Sequence, residues 1–186
     1  MANIFVISDW HLGHAGILTF KNEDGSPVRS FDSVQEMDEF MIERNNSVVR
    51  PQDHLYFLGD VAMKREHLDK VARFNGHKRL VRGNHDIFRT KDYLKYFDEI
   101  YASRVLDGII FTHIPIHPES LGRFTANVHG HVHGQPQGKY GPKYYNVSVE
   151  IVGYTPVSLE DLKVRIRKFQ ESYPPPEHRD RSSART

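Results

Sequence analysis

Asp9-Trp10-His11, Gly59-Asp60, Gly83-Asn84-His85-Asp86 and Gly130-His131-Val132-His133 follow one another along this chain, with a lone His113 before the last. Asp, His and Asn offer the oxygen and imidazole nitrogen donors that bind hard-to-borderline divalent cations. Each motif follows a run of apolar and β-branched residues, which predicts that each ends a strand. Ligand-type residues gathered at strand ends are the ordinary build of an active site in layered α/β proteins. In Gly-His-x-His, the alternation of an extended chain puts His131 and His133 on one face. Gly59, Gly83 and Gly130 suit tight turns or positive φ, where the backbone must swing a ligand into place.

The elements that must position these residues are legible from periodicity. Ile4–Ile7 reads as a buried, interior, parallel strand. Ser33-Val34-Gln35-Glu36 is a capping box that opens a helix with Val34, Met37, Met41 and Val48 on its apolar face, stopped near Pro51. Leu55–Leu58 is a second strand, 64–74 a helical stretch with Leu68, Val71 and Phe74 inward, and Arg79–Val81 a third strand. A short helix around 90–97 follows.

The second half is richer in strands, near 100–106, 109–113, 127–129 and 145–149. Asp107-Gly108 is a two-residue hairpin signal, and the Gly/Pro/Gln-rich stretch 134–143 is a loop. Ser158 caps a last helix that shows Leu159, Leu162, Ile166 and Phe169 on one face. Strand–helix alternation followed by a strand-rich half predicts an α/β fold with two sheets rather than one open sheet. A folded domain is expected over 1–172. Residues 173–186, with three consecutive prolines, several charges and little apolar content, are expected to form a disordered tail.

Composition limits the classes. With 186 residues and a net charge of +1, the chain can bury a full core and has no bulk electrostatic attraction for nucleic acid or membrane. It has no cysteine, which removes disulfides, thiolate metal sites and thiol catalysis. No apolar run approaches the roughly 20 residues that span a bilayer. Asp9 interrupts what would be the apolar stretch of a signal peptide. A soluble, cytoplasmic protein is expected.

The ordered set Asp-x-His, Gly-Asp, Gly-Asn-His-Asp, His, Gly-His-x-His resembles the calcineurin-like metallophosphoesterase superfamily. The motifs run from residue 9 to residue 133. The resemblance implies a four-layer α/β/β/α sandwich of two mixed sheets, with a two-metal site at the strand ends. It implies Asp60 as the bridging carboxylate, Asp9, His11 and His133 on one metal, and Asn84, His113 and His131 on the other. It also implies His85 as proton donor to the leaving oxygen, and Asp86 as a carboxylate that orients a histidine or caps its own turn. Many relatives have Gly-Asp-x-x-Asp. Here Met63 stands in place of the second carboxylate.

The chemical logic is that a phosphate ester is anionic and repels hydroxide. Two cations can bind its oxygens, supply a hydroxide and align it behind the leaving group. Several imidazoles and no sulfur suit Mn, Fe, Zn, Co or Ni rather than Mg or Ca, with Mn the working expectation. Arg123 and His117, in the loop after His113, are candidates for binding substrate phosphate. Trp10 is expected to pack against the sheet. The expected substrate is a phosphodiester: a small cyclic phosphate, a nucleotide or a nucleic acid end. The alternatives are a phosphomonoesterase or protein phosphatase, and a non-catalytic metal-binding scaffold for protein interaction.

Overall fold

A computed structural model of the chain describes residues 2–22 and 24–173. Five strands form the first sheet in the order β4-β3-β2-β1-β9: Glu99–Tyr101, His77–Val81, His54–Phe57, Ile4–Ile7 and Val157–Ser158. Strands β1 to β4 are mutually parallel and β9 is antiparallel to β1. Four strands form the second sheet in the order β5-β6-β7-β8: Arg104–Leu106, Ile109–Phe111, Ala126–His129 and Tyr144–Asn146. Strand β5 is antiparallel to β6, and β6, β7 and β8 are parallel. Helices α1 (Val34–Val48), α2 (Thr90–Tyr93) and α3 (Leu159–Ser172) flank two mixed sheets, the layered arrangement expected.

Alternation along β1 divides the core in two. Phe5 and Ile7 point into a cluster with Met37 and Met41 of α1 and with Leu68 and Val71. Val6 points the other way, into a cluster with Phe111 and Val128 of the second sheet and with Leu162 and Ile166 of α3. Burial on both faces explains why β1 and β2 read as continuous apolar runs. The stretch 64–74 is a 3-10 helix over Arg65–Arg73, and its Leu68, Val71 and Phe74 are inward as expected.

Both long helices are capped where the sequence indicated. Ser33 Oγ accepts from Glu36 N (3.1 Å), and Ser158 Oγ accepts from Asp161 N (3.1 Å). The Glu36 carboxylate reaches back one residue further than a capping box requires, to Asp32 N (2.8 Å). Val48 is turned to solvent, and Ile42 takes its place on the buried face of α1. The stretch 100–106 is not one strand. Its first part joins the first sheet and its second part the second, so the chain crosses between sheets at Ala102–Ser103. Asp107 (φ 49°) and Gly108 (φ 78°) make the hairpin turn that follows.

The two sheets meet at one edge. Ser8, just past β1, forms a parallel bridge with Ser148, just past β8. Ser8 N donates to the Val147 carbonyl and Val149 N to the Ser8 carbonyl, both at 3.0 Å. The carboxyl ends of the parallel strands in both sheets therefore converge, and the ligand-type motifs lie on the residues just beyond them. Tyr173 donates its hydroxyl to the Gly138 carbonyl (3.2 Å). The expected disordered stretch from Pro174 onward lies outside the described residues. Among the described residues, no helix is long and apolar enough to cross a membrane.

Candidate active site and metal centre

Beyond the strand ends the backbone turns sharply. Asp9, His11, Asp60, His131 and His133 all have positive φ, between 47° and 71°. Gly59, at φ 94°, provides the same turn ahead of Asp60. Gly83 and Gly130 are glycines for a different reason from the positive φ expected of them, namely close approach. A Cβ at Gly130 would lie 1.9 Å from Ser8 Oγ and 2.2 Å from Asp9 Oδ2, and one at Gly83 would lie 2.3 Å from Asp60 Oδ1.

These turns bring all seven expected ligands together in two groups. Asp9, His11 and His133 each present a ligand atom within 4.8 Å of the others, and so do Asp60, His113 and His131. The groups share an edge, because His11 Nε2 lies 3.6 Å from Asp60 Oδ2. Asn84 Oδ1 lies 2.9 Å from His113 Nε2 and so joins the second group.

The donor chemistry fits divalent cations. The His113 Nδ1–H donates to the Leu58 carbonyl (2.8 Å), so the Nε2 lone pair faces the site. That nitrogen meets Asp60 Oδ2 at 3.3 Å as well as the Asn84 oxygen. Three acceptors converging on one point call for a positive charge between them. A proton on Nε2 answers the same need when no cation is there: burial pulls the His113 ring downward, but the Asp60 hydrogen bond and the Asp9 charge outweigh it and its pKa is raised. Burial acts to raise the Asp60 carboxyl, yet His113 and His11 hold it at about 2. Burial also pushes His11 well below its usual value, so its ring is the neutral, ligating form. Both His11 nitrogens are buried without a hydrogen-bond partner among the described residues.

Three supports of this centre escaped the sequence reading. The His133 Nδ1–H donates to Glu150 Oε1 (3.1 Å), which leaves Nε2 to face the first group. Glu150 Oε1 also receives Arg29 Nε at 2.8 Å. The buried Arg29 guanidinium continues to the Trp10 carbonyl (2.9 Å) and the Asp9 carbonyl (2.5 Å). Ser148 Oγ donates to Asp9 Oδ2 at 2.9 Å. Glu150 follows a strand end as the ligands do, a signal that could have found it. Arg29 lies in a stretch without pattern and gave none.

His85 is exposed at the mouth of the site. Its ring centroid is 5.7 Å from that of His11, and its backbone N–H donates to Asp60 Oδ1 (2.9 Å). Asp86 is buried. Its carboxylate accepts from Asp60 N (2.9 Å), Val61 N (3.0 Å) and Gly83 N (2.8 Å), and from no histidine among the described residues. It therefore ties the Gly59-Asp60 turn to the Gly83-Asn84 turn rather than orienting an imidazole.

His117 and Arg123 make local contacts. His117 Nδ1 accepts from Glu119 N (3.4 Å) at the start of a short 3-10 turn, and Arg123 lies over the Phe124 ring at 5.5 Å. Neither lines the cleft of about 890 Å³ that opens beside His131 and His133. It is lined by Lys21, Asn22 and Asp24 from one segment and by Gln135, Lys139 and Tyr140 from another. Trp10 packs on Phe57 and Phe74, at 5.6 and 4.8 Å between ring centroids, as expected.

Two mixed sheets whose strand ends hold paired Asp/His groups define a metallophosphoesterase-type architecture. The family model of calcineurin-like phosphoesterases matches residues 2–145, and the chain belongs to that family. It is 35% identical to the uncharacterised protein MJ1445 of Methanocaldococcus jannaschii, over 89% of this chain and 92% of that protein. The solved structure of AQ665 from Aquifex aeolicus, a protein of unknown function, superposes with a TM-score of 0.69 at 28% identity, covering 89% of this chain and all of the other. A solved archaeal phosphodiesterase is a more distant neighbour, with a TM-score of 0.44 at 15% identity over 77% of this chain and 82% of its own.

Proposed function

We propose that this protein is a metal-dependent phosphodiesterase, with Asp60 shared between two divalent cations and Mn the preferred ion. The observation that carries the reading is the convergence of Asp60, Asn84 and His113 as acceptors on one point, beside the orphaned imidazole of His11. Asp9, His11 and His133 would hold one ion, and Asn84, His113 and His131 the other. Bound there, the cations would supply Lewis-acid charge for the phosphoryl oxygens and a water nucleophile at neutral pH.

The rest falls to the chain's own groups. Asp86 and Gly83 hold the Asp60 turn against the Asn84 turn, so the ligand groups keep their spacing. The Arg29–Glu150–His133 link fixes the ring orientation of His133 and leaves Nε2 toward the site. His85 stands on the solvent side, its backbone anchored to Asp60, and would be the proton donor to the leaving oxygen. The open cleft beside His131 and His133 suits a substrate with a group on both sides of its phosphate, which favours a phosphodiester such as a nucleic acid end over a phosphomonoester.

The test is hydrolysis of bis(4-nitrophenyl) phosphate by chelator-stripped protein given Mn, Ni, Zn or Mg. Turnover that requires an added divalent ion and is strongest with Mn is expected. No turnover with any of these ions would overturn the enzymatic reading in favour of a metal-binding scaffold.

A further inference from the structure

We propose that the cleft beside His131 and His133 is a subsite for the strand that flanks the scissile phosphate of a short single-stranded oligonucleotide. A flanking phosphate would sit on Lys21 and Lys139, and a base on Tyr140. The proposal rests on the phosphodiesterase reading above and names the substrate class for it.

Size comes first. A cleft of about 890 Å³ lies within the usual range for ligand sites and far exceeds what one phosphoryl group occupies. It begins at two of the candidate metal ligands, so a chain whose phosphate is held by ions at that centre would have this cleft as its path outward.

Charge comes second. Lys21 and Lys139 both line the cleft, and among the described residues neither amine has a carboxylate partner. Asp24, also on the wall, is committed to its own turn, where it accepts from Ser26 N (2.9 Å) and Ser26 Oγ (2.6 Å). With an overall charge of +1 the protein has no broad field for a long duplex. A pair of local cations instead suits one or two flanking phosphates.

The third observation is a fixed aromatic surface. Tyr140 is 43% exposed, with Lys139 Nζ over its ring at 5.9 Å, and the ring is braced by His129 at 6.0 Å and Tyr144 at 5.8 Å between centroids, so a base would stack on the face that Lys139 leaves open. A braced, exposed ring offers a stacking face at little entropic cost, and stacking needs a base already free of a duplex. The wall carrying it is tied down as well. Gln137 brackets the Asn146 backbone, donating to its carbonyl (2.7 Å) and accepting from its N–H (2.8 Å).

The experiment measures binding without turnover. A fluorescein-labelled tetranucleotide is titrated with the full chain in EDTA and followed by anisotropy. The wild type is compared with K21A/K139A, Y140A and K95A, the last removing a lysine outside the cleft. The expected result is a Kd raised about tenfold or more in the double lysine variant. Y140A should raise it by a similar factor, and K95A should stay within about twofold of wild type. An abasic tetranucleotide should bind the wild type more weakly than the normal one, and Y140A should lose that difference.

Equal affinities across the four proteins, or no binding by the wild type up to millimolar concentration, would overturn the subsite. Retained discrimination against the abasic strand in Y140A would overturn the role of that ring. Failure of the chromogenic assay above, with lysine-dependent binding intact, would remove the catalytic reading and leave the subsite standing.

Discussion

Glu150 Oε1 lies between His133 Nδ1 at 3.1 Å and Arg29 Nε at 2.8 Å, so one carboxylate oxygen couples a candidate metal ligand to a buried guanidinium. Burial acts to raise this carboxyl, but the His133 hydrogen bond and the Arg29 charge hold it at about 2. It is ionised at any working pH. A carboxylate behind an imidazole fixes the ring and makes Nε2 more basic, and losing such a partner weakens metal binding by roughly 10–100-fold. Glu150→Gln is therefore expected to weaken one of two Mn sites by that factor in calorimetric titration. Unchanged affinity at both sites would show that His133 needs no support from behind.

Metal stoichiometry separates the shared ligand from the unshared ones. Elemental analysis of metal-saturated protein should find two ions per chain, Asp60→Ala should lose both, and His133→Ala should weaken chiefly one. One ion per saturated chain would sink the paired-metal arrangement.

His85 is tested by the leaving group. A nitrophenolate departs without a proton, whereas a ribose oxygen does not. General acid catalysis contributes roughly 10²–10⁴-fold. His85→Ala should cost most of that on a nucleoside ester and distinctly less on a nitrophenyl ester, with metal content nearly unchanged. Equal losses on both esters would assign His85 to the phosphoryl oxygens instead.

Gly130 has no room for a side chain. A Cβ at 1.9 Å from Ser8 Oγ and 2.2 Å from Asp9 Oδ2 must displace the bridge between the sheets or the Asp9 carboxylate. Gly130→Ala should lower the melting temperature and cut metal affinity together. Wild-type values for both would mean that the two strand ends separate freely.

His129 sets an acid limit. It is buried against Tyr140 and Tyr144, and burial brings its pKa down to about 4. The unfolded chain takes up that proton near pH 6.5. The folded value is depressed, so folding is at full strength above about pH 6.5 and loses stability as pH falls toward 4, by about 3 kcal/mol. Urea denaturation at pH 7.5 and pH 5 should show a smaller acid penalty for His129→Gln than for wild type. An identical penalty would place the sensitive group elsewhere.

Much of this site was legible because its candidate ligands obey a local rule: each sits just past an apolar run, and strand ends are visible in sequence. Asp9, His11, Asp60, Asn84, His113, His131 and His133 all followed from that rule and are gathered at one edge. What stayed hidden depends on contacts between distant segments. Arg29 reaches Glu150 across 121 residues, and no periodicity announces such a pair. The crowding at Gly83 and Gly130 arises from side chains on other strands, so the sequence suggested a turn where the structure requires empty space. Asp86 was ambiguous because a carboxylate after a histidine can serve the ring or the backbone, and only the positions of Asp60 N and Val61 N decide. His117 and Arg123 were placed near the site by chain distance alone, and the loop carries them to local partners instead.

The left-handed backbone at Asp9, His11, Asp60, His131 and His133 has a consequence for anyone redesigning this protein. A non-glycine residue held there costs on the order of 1 kcal/mol, so the five together approach the whole net stability of an ordinary small domain. A sequence optimised for folding alone would place glycine or asparagine at most of these positions and would gain stability by doing so. Stabilising substitutions are thus easiest to find at the residues where they are most damaging. A screen that selects only for heat resistance should drift toward an inert protein with the same fold.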